Sequence, residues 1–269
     1  MKHLLFISLF LAAGLMAVSC IIHVGGASIV GHCTEDGIDY TEVRDVKPFR
    51  GLVNSLPCNV YYERADQQEV RVETTEKFVD KVLTEVEDGT LFLKLKDGTY
   101  PELILRIVIT SPDIESIKVS GSGNLINKGG LYSRKDLNLK ISGSGDIRTG
   151  NIECEDFTAH CSGSGNQHLE KIACSGFSGT VSGSGDISAQ LVLVDGDASA
   201  RVSGSGRIRL EEVDVNGDME LKTSGSGDII VNGSCHHVTA TSSGSGDISG
   251  NLSHTGVNAR TTGSGRVRL

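Results

Sequence analysis

The sequence predicts an all-β protein built as a parallel β-helix, a solenoid with about 20 residues in each coil. Three observations lead to this fold class. The motif Ser-Gly-Ser-Gly occurs eight times, with Thr262 replacing the first Ser of the last copy, at steps of 22, 20, 20, 21, 21, 19 and 19 residues. Apolar and polar residues alternate before each copy, and an aliphatic residue recurs after it. Units this short bury their apolar side chains only by stacking on one another.

The inward side of the solenoid follows from the period of a strand. We number each motif from its first residue as position zero and call each coil a rung. Because successive strand residues point to opposite faces, positions −5, −3 and −1 are predicted to point inward. Position 5 is predicted to form another inward column, which Gln167 interrupts. The column is Leu125, Ile147, Gln167, Ile187, Ile208, Ile229, Ile248 and Val267.

Position 4 forms a polar column next to this one. It consists of Asn124, Asp146, Asn166, Asp186, Arg207, Asp228, Asp247 and Arg266. Like charges stacked directly on one another repel, but here Arg207 stands between Asp186 and Asp228. The order therefore predicts a charge-compensated ladder, in which only Asp228 and Asp247 are adjacent and alike.

Composition restricts the class of partner. The chain has 269 residues, a net charge of −9, 34 Gly and 4% aromatic residues. Few aromatics and many glycines favour a thin, repetitive β core. An acidic chain lacks the basic surface that phosphate binding needs, so we expect no nucleic-acid partner.

The N-terminus has the pattern of an export signal. Lys2 and His3 precede the apolar run 4–18, and Ala17-Val18-Ser19 is a small-x-small cleavage pattern directly before Cys20. Residues 1–19 are therefore predicted to be a signal peptide. The pattern resembles a bacterial lipoprotein signal, which implies lipidation of Cys20 and an anchor in the membrane; simple secretion is the alternative. Residues 20–40 are predicted to hold the lipidated Cys and a tether.

Residues 41–115 are predicted to form a β-rich cap, and residues 116–269 the β-helix repeats. Leu91, Leu93 and Leu95 alternate with other residues between Asp-Gly turn signals, which indicates a strand. Residues 77–86 are predicted to form a short helix. Because a solenoid needs its exposed end covered, this block is the expected cap.

Several N-terminal segments, in order, carry a family resemblance. They are Phe49–Val53, Asn59–Tyr61, Val70–Glu73, Glu85–Leu93 and Pro112–Gly123, followed by the serial Ser-Gly-Ser-Gly copies. Residues 49–269 resemble the putative auto-transporter adhesin, head GIN domain family. The resemblance implies a right-handed parallel β-helix in an exported bacterial protein. With the lipoprotein-like signal, we expect a membrane-anchored protein of the bacterial envelope, in the periplasm or at the outer-membrane surface.

The cysteines leave two interpretations open. Cys154 and Cys174 both lie at position −8 of successive rungs, where Cα atoms ~5 Å apart are within disulfide range. They form either a disulfide or a pair of stacked buried thiols. No Cys-x-x-Cys spacing is present, so no metal is expected, and no cofactor either.

The strongest candidate for ligand binding is a basic column at position −2, on the outward face. It contains Lys118, Lys140, His160, Arg201, Lys222 and Arg260. Together with the serine columns beside it, this face suits an anionic glycan or an envelope or surface protein. The alternative is a solvated sheet face whose charges prevent aggregation.

We expect an adhesin or binding scaffold rather than an enzyme, and no catalytic residue is predicted. One enzymatic alternative is polysaccharide cleavage by Asp228 and Asp247, a carboxylate pair of the kind that glycosidases use. A purely structural envelope protein is another alternative. The last rung, which contains Arg260–Leu269, has no evident cap and is a candidate surface for a homo-oligomer.

Overall fold

The structure is a computed structural model that describes residues 21–24, 27–30 and 33–269. The predicted signal peptide and Cys20 lie outside the described residues. Within the described part of the chain, no helix has the length and apolar character needed to cross a membrane.

The N-terminal region contains eleven strands and one helix. In chain order they are β1 Ile21–Val24, β2 Ala27–Val30, β3 Cys33–Thr34, β4 Tyr40–Arg44, β5 Gly51–Asn54, β6 Val60–Arg64, β7 Glu69–Thr74, α1 Glu76–Val79, β8 Val82–Glu87, β9 Thr90–Leu95, β10 Gly98–Tyr100 and β11 Leu103–Ser111.

The repeat region contains strands alone. They are β12 Ser116–Val119, β13 Leu125–Asn127, β14 Leu131–Tyr132, β15 Leu137–Ile141, β16 Ile147–Glu153, β17 Asp156–Cys161, β18 Gln167–Cys174, β19 Gly176–Val181, β20 Ile187–Val194, β21 Ala198–Val202, β22 Ile208–Val215, β23 Met219–Thr223, β24 Ile229–Ser234, β25 His237–Ser242, β26 Ile248–Ser249, β27 Leu252–Ser253, β28 Gly256–Thr261 and β29 Val267–Arg268.

These strands confirm the predicted solenoid. The strands that precede each motif form a sheet of 11 strands, the pre-motif sheet, and those that follow it belong to a sheet of 15 strands, the post-motif sheet. All pairs within the repeats are parallel. Position 5 pairs with position 5 of the next rung throughout, as in Ile187 with Ile208 and Ile208 with Ile229. The inward faces form one continuous core, except on the last rung, where Val257 and Ala259 at positions −5 and −3 are exposed.

The motif makes the corner between the two sheets, where the backbones of successive rungs touch. Gly206 N donates to Gly183 O at 3.2 Å, and Ser205 N donates to the same oxygen at 3.0 Å. A Cβ on a motif glycine would overlap the carbonyl oxygen of the rung before it. Glycine is required here by the closeness of two backbones, so the recurrence of the two motif glycines follows from the stacking.

The stack begins earlier than the repeat motif indicates. β5 pairs in parallel with β12, and β6 pairs in parallel with β13. The segment Ser55–Asn59 between them occupies the place of the motif, and the Ser55 hydroxyl lies 2.9 Å from that of Ser120. Residues 51–64 are thus a rung without the glycines, and the predicted boundary at 115/116 falls inside one continuous stack.

Antiparallel strands close the N-terminal end. β9 and β11 extend the two sheets by one more parallel pair, and β8 and β7 then pair with them antiparallel. The predicted helix over 77–86 is wrong beyond its first residues: α1 ends at Val79 and β8 forms a hairpin with β9. Asp88 and Gly89, with φ of 47° and 71°, supply the tight turn that makes the hairpin.

The predicted tether over 20–40 is also corrected by the structure. β3 pairs with β11, and Cys33 forms a disulfide with Cys58, with Cα atoms 5.4 Å apart. Cys58 is buried in the turn of this first rung, 51–64. Residues 33–40 are therefore attached to the cap and do not form a free arm.

Polar residues in the core are held by hydrogen bonds to the backbone. Gln167, 0% exposed, donates through Nε2 to Leu139 O at 3.2 Å and His160 O at 3.0 Å, while its Oε1 has no partner. Thr223 and Ser242 at position −1 each donate to a motif carbonyl at 2.8 Å. These bonds offset the cost of burying the polar groups.

Candidate functional site

The basic residues predicted at position −2 lie in one column of the pre-motif sheet. Lys118 pairs with Lys140, and Lys140 with His160. Thr180 follows His160 in the column, and Arg201 follows Thr180. The column then continues through Lys222, Thr241 and Arg260. The strands hold one residue of this column on each rung, so the structure brings all six predicted side chains onto a single outward face.

The first part of the column is not neutralised by acidic side chains among the described residues. Lys140 is exposed and Lys118 is partly exposed. Within the described chain, neither ammonium group has an acidic side chain at ion-pair distance. Burial, and next the positive charge of Lys140, lower the pKa of His160, so its imidazole is biased toward the neutral form. This end of the column therefore presents two cations and a hydrogen-bonding ring.

The middle of the column is compensated by one acid. Arg201 and Lys222 both form ion pairs with Glu220. The hydrogen bond from Lys222 is the largest cause that lowers the pKa of this carboxyl, followed among the lowering causes by the charge of Arg201. Arg201 also donates to the Ser199 hydroxyl at 3.0 Å. These two cations are less available to a ligand than Lys118 and Lys140.

A second surface feature was not predicted from the sequence. A groove of about 880 Å³ runs along the outer face of the post-motif sheet, across several rungs. Arg148 and His168 line it, one after the other at position 6, and its floor includes Leu169. The sequence did carry a sign of this groove, because the outward residues at position 6, among them Arg148 and His168, align on successive rungs. Arg148 is paired with Asp146 at 2.7 Å, and the groove is lined by Glu170 and Glu211 as well as Lys128, so it lacks the uniformly positive charge of the Lys118–Lys140 end of the basic column.

The position 4 column has a structural role that charge alone did not indicate. Each Asn or Asp accepts, through Oδ1, the backbone N–H of position 4 in the next rung. The distances are 2.9 Å for Asn124 to Asp146, 2.8 Å for Asp146 to Asn166, 2.9 Å for Asn166 to Asp186, 2.7 Å for Asp186 to Arg207, 2.9 Å for Asp228 to Asp247 and 2.8 Å for Asp247 to Arg266. Arg207 lies 3.9 Å from both Asp186 and Asp228, as the predicted ladder requires.

This ladder accounts for the carboxylate pair considered for glycan cleavage. The Oδ1 atoms of Asp228 and Asp247 are each occupied by an amide of the following rung. Their proximity is a consequence of the stacking of identical turns. Across the described residues, no group of three or more His, Cys, Asp or Glu side chains is placed to hold a metal ion.

Of the two interpretations left open for Cys154 and Cys174, the structure has free thiols. Burial raises the pKa of each thiol to about 12, and Cys174 contributes to the shift at Cys154. Such thiols behave as small apolar core side chains, because the reactive thiolate is scarce at neutral pH. The disulfide of the structure is instead Cys33–Cys58, which joins two segments that the sequence had placed in different regions.

The solenoid and its corner motif correspond to a described family. A sequence model of the family described as putative auto-transporter adhesin, head GIN domain, matches residues 48–215 and 178–269. The chain belongs to this family. No curated protein matches the chain.

Solved structures of similar proteins share the solenoid. A putative lipid binding protein from Parabacteroides distasonis has 23% identity and a TM-score of 0.76, over 88% of this chain and 98% of that one. A putative adhesin from Bacteroides fragilis has 22% identity and a TM-score of 0.62, over 88% and 99%. A putative adhesin from Parabacteroides merdae has 16% identity and a TM-score of 0.74, over 88% and 99%. At these identities the likeness concerns the fold.

Proposed function

We propose that this member of the head GIN family is an exported, lipid-anchored envelope protein that binds an anionic polysaccharide along the position −2 column. The observation that carries the proposal is the alignment of Lys118, Lys140 and His160 on consecutive rungs, without acidic partners for the two lysines in the described chain. The family name and the export signal before Cys20 support the same setting.

The geometry of the column suits an extended polymer. Rungs lie ~4.8 Å apart, so the column offers a regular line of groups along the solenoid axis, each fixed by a strand. Exposed ionic contacts are individually weak, about 0.2–1 kcal/mol, and are screened by salt. A polymer that makes several of these contacts at once adds their free energies, because each further contact forms within a complex that is already bound. A small anion cannot do this.

Binding of a polyanion is the direct test. The full chain in mild detergent is passed over immobilised polygalacturonate, with neutral dextran as the reference surface. The double substitution Lys118→Glu/Lys140→Glu is compared with Lys128→Glu/Lys171→Glu, which changes the net charge equally but away from the column, at Lys171 of β18 and at Lys128 directly after β13. We expect the first pair to weaken binding at least about tenfold, or ~1.4 kcal/mol, and the second pair to have a much smaller effect.

Three outcomes contradict the proposal. Equal losses in the two double variants mean that net charge, not the column, controls binding. Wild-type protein that ignores polygalacturonate but binds vesicles containing phosphatidylglycerol points to an anionic lipid surface instead. Binding that does not fall when the salt concentration rises through about 0.1 M, where the Debye length is ~10 Å, excludes an ionic contact.

The anchor is tested separately. We expect labelled palmitate to enter the wild-type chain in a bacterial host and not the Cys20→Ala variant, which should leave the membrane fraction. Equal labelling of both chains removes Cys20 as the lipid site and leaves the polysaccharide proposal intact.

A further inference from the structure

The two ends of the solenoid differ from its sides in apolar exposure. Within the described chain, the large hydrophobic side chains that stand exposed are Tyr40, Val43 and Val257, at 38%, 58% and 50%. Tyr40 and Val43 lie on β4, the outer strand of the post-motif sheet at the N-terminal end. Val257 lies on β28, the outer strand of the pre-motif sheet at the other end. The exposed apolar side chains are therefore concentrated on the outermost strands of the described stack.

The N-terminal end is acidic. Its two outer strands are β4 in the post-motif sheet and β8 in the pre-motif sheet. The segment 35–45 around β4 has five acidic residues and one basic residue, and the segment 76–88 around β8 has five acidic and two basic residues. Among the acids, Glu85 and Glu87 are exposed on β8, and Glu42 is partly exposed on β4.

The opposite end is basic. Residues 251–269, which include β28 and β29, contain Arg260, Arg266 and Arg268 and no Asp or Glu. All three arginines are exposed. β28 and β29 are the outer strands of the two sheets at this end, so each sheet presents an edge beside positive charge. An unpaired edge of this kind is a template for another strand.

From this placement we propose that the basic C-terminal rung docks on the acidic N-terminal cap of a second copy of the chain, so that solenoids join head to tail. β28 then faces β8 of the next copy and β29 faces β4, which brings Arg260 and Arg268 toward the acids of those strands. Val257 loses its contact with water in the same step. A head-to-tail contact does not close on itself, and it produces linear chains of solenoids.

Charge decides against the symmetric alternatives. A two-fold contact between two C-terminal ends places arginines opposite arginines, and one between two caps places carboxylates opposite carboxylates. Both arrangements repel, while the head-to-tail contact pairs opposite charges at each sheet edge. The same argument selects the second copy over an unrelated strand, since this chain itself supplies the complementary surface.

A charge swap tests the proposal in the full chain, kept in mild detergent and followed by sedimentation velocity and negative-stain electron microscopy. Wild-type protein should form rods whose length grows with protein concentration and falls with added salt. The tail variant Arg260→Glu/Arg268→Glu and the head variant Glu42→Lys/Glu85→Lys should each remain monomeric. An equimolar mixture of the two variants should form rods again, since the reversed tail of one fits the reversed head of the other.

The mixture shows whether a variant is monomeric because of its charges or because it is misfolded. A misfolded variant cannot restore rods when it is mixed with the other variant. Wild-type protein that stays monomeric at its highest soluble concentration overturns the proposal. So does a mixture that fails to assemble while both variants show wild-type circular dichroism. A closed dimer that only the tail variant disrupts indicates contact between like ends and also overturns it.

Discussion

Substitution of one motif glycine tests whether close contact between backbones sets the repeat. In Gly206→Ala, the new methyl group would overlap Gly185 O and lie 2.9 Å from the carbonyl carbon of Ser184. Since both obstacles are backbone, the two rungs must separate at this corner. The bonds from Ser205 N and Gly206 N to Gly183 O, at 3.0 and 3.2 Å, lengthen as a result.

The expected cost follows from these contacts. Overpacking of a tight site costs about 1–3 kcal/mol, and each weakened backbone hydrogen bond adds about 0.5–1.5 kcal/mol. We expect Gly206→Ala to lower the free energy of unfolding by about 3 kcal/mol, which corresponds to a fall in Tm of roughly 6–12 °C for a chain of this size.

The assay is thermal unfolding followed by circular dichroism, with Gly129→Ala as the matched control. An added Cβ at Gly129 meets nothing within 4 Å, so this substitution should leave Tm unchanged or raise it slightly, since alanine restricts the unfolded chain. An equal Tm for Gly206→Ala and wild type would refute the reasoning, because it would show that the corner has room for a side chain.

Three further predictions concern other contacts. Asp228→Ala should destabilise the protein by about 1 kcal/mol and Asp228→Asn much less, because asparagine keeps the acceptor for the next amide; urea midpoints distinguish this from a purely ionic role, which both changes would abolish. Cys33→Ser/Cys58→Ser should cost about 3.5 kcal/mol for a sequence separation of 25, and reductant should lower the Tm of wild type but not of this variant. Because the folded protein lowers the pKa of His160, the neutral ring contributes its full stability above the unfolded pKa, and this contribution is lost as the pH falls from the unfolded to the folded pKa, where the unfolded state binds more protons. In Lys140→Ala the His160 pKa measured by NMR should rise, and an unchanged pKa would contradict the assigned charge effect.

The columns of the repeats could be predicted because a strand has a period of two and the pitch is nearly constant. Position 5 illustrates this, since each Ile of the column pairs with the residue at the same position of the next rung. Gln167 was recognised as a break but not as a buried link to His160 O, since that bond joins the two sheets across the core. The alignment of Lys118 and Lys140 was likewise visible in the pattern.

The first rung, 51–64, could not be predicted from the repeat, because its turn lacks the motif glycines. Ser55–Asn59 replaces both glycines of the motif with Leu56 and Cys58, and this is tolerated because no earlier rung of the same shape lies beneath it. The Cys33–Cys58 bond was hidden for the same reason, since Cys58 was not known to occupy a corner. The Asp88-Gly89 turn that follows residues 77–86 was recognised in the sequence. The helix predicted before it does not form over its full length, because the pairing of β8 with β9 overrides a weak local preference for helix.

The equivalence of neighbouring corners has a consequence for how such a chain changes over evolutionary time. Because the shape of each corner is dictated by the corner beneath it, a duplicated segment of about 20 residues finds a matching surface wherever it is inserted within the array. Lineages can therefore lengthen or shorten the molecule in whole steps, and so adjust the length of its two outer sheet faces, without redesigning the cap.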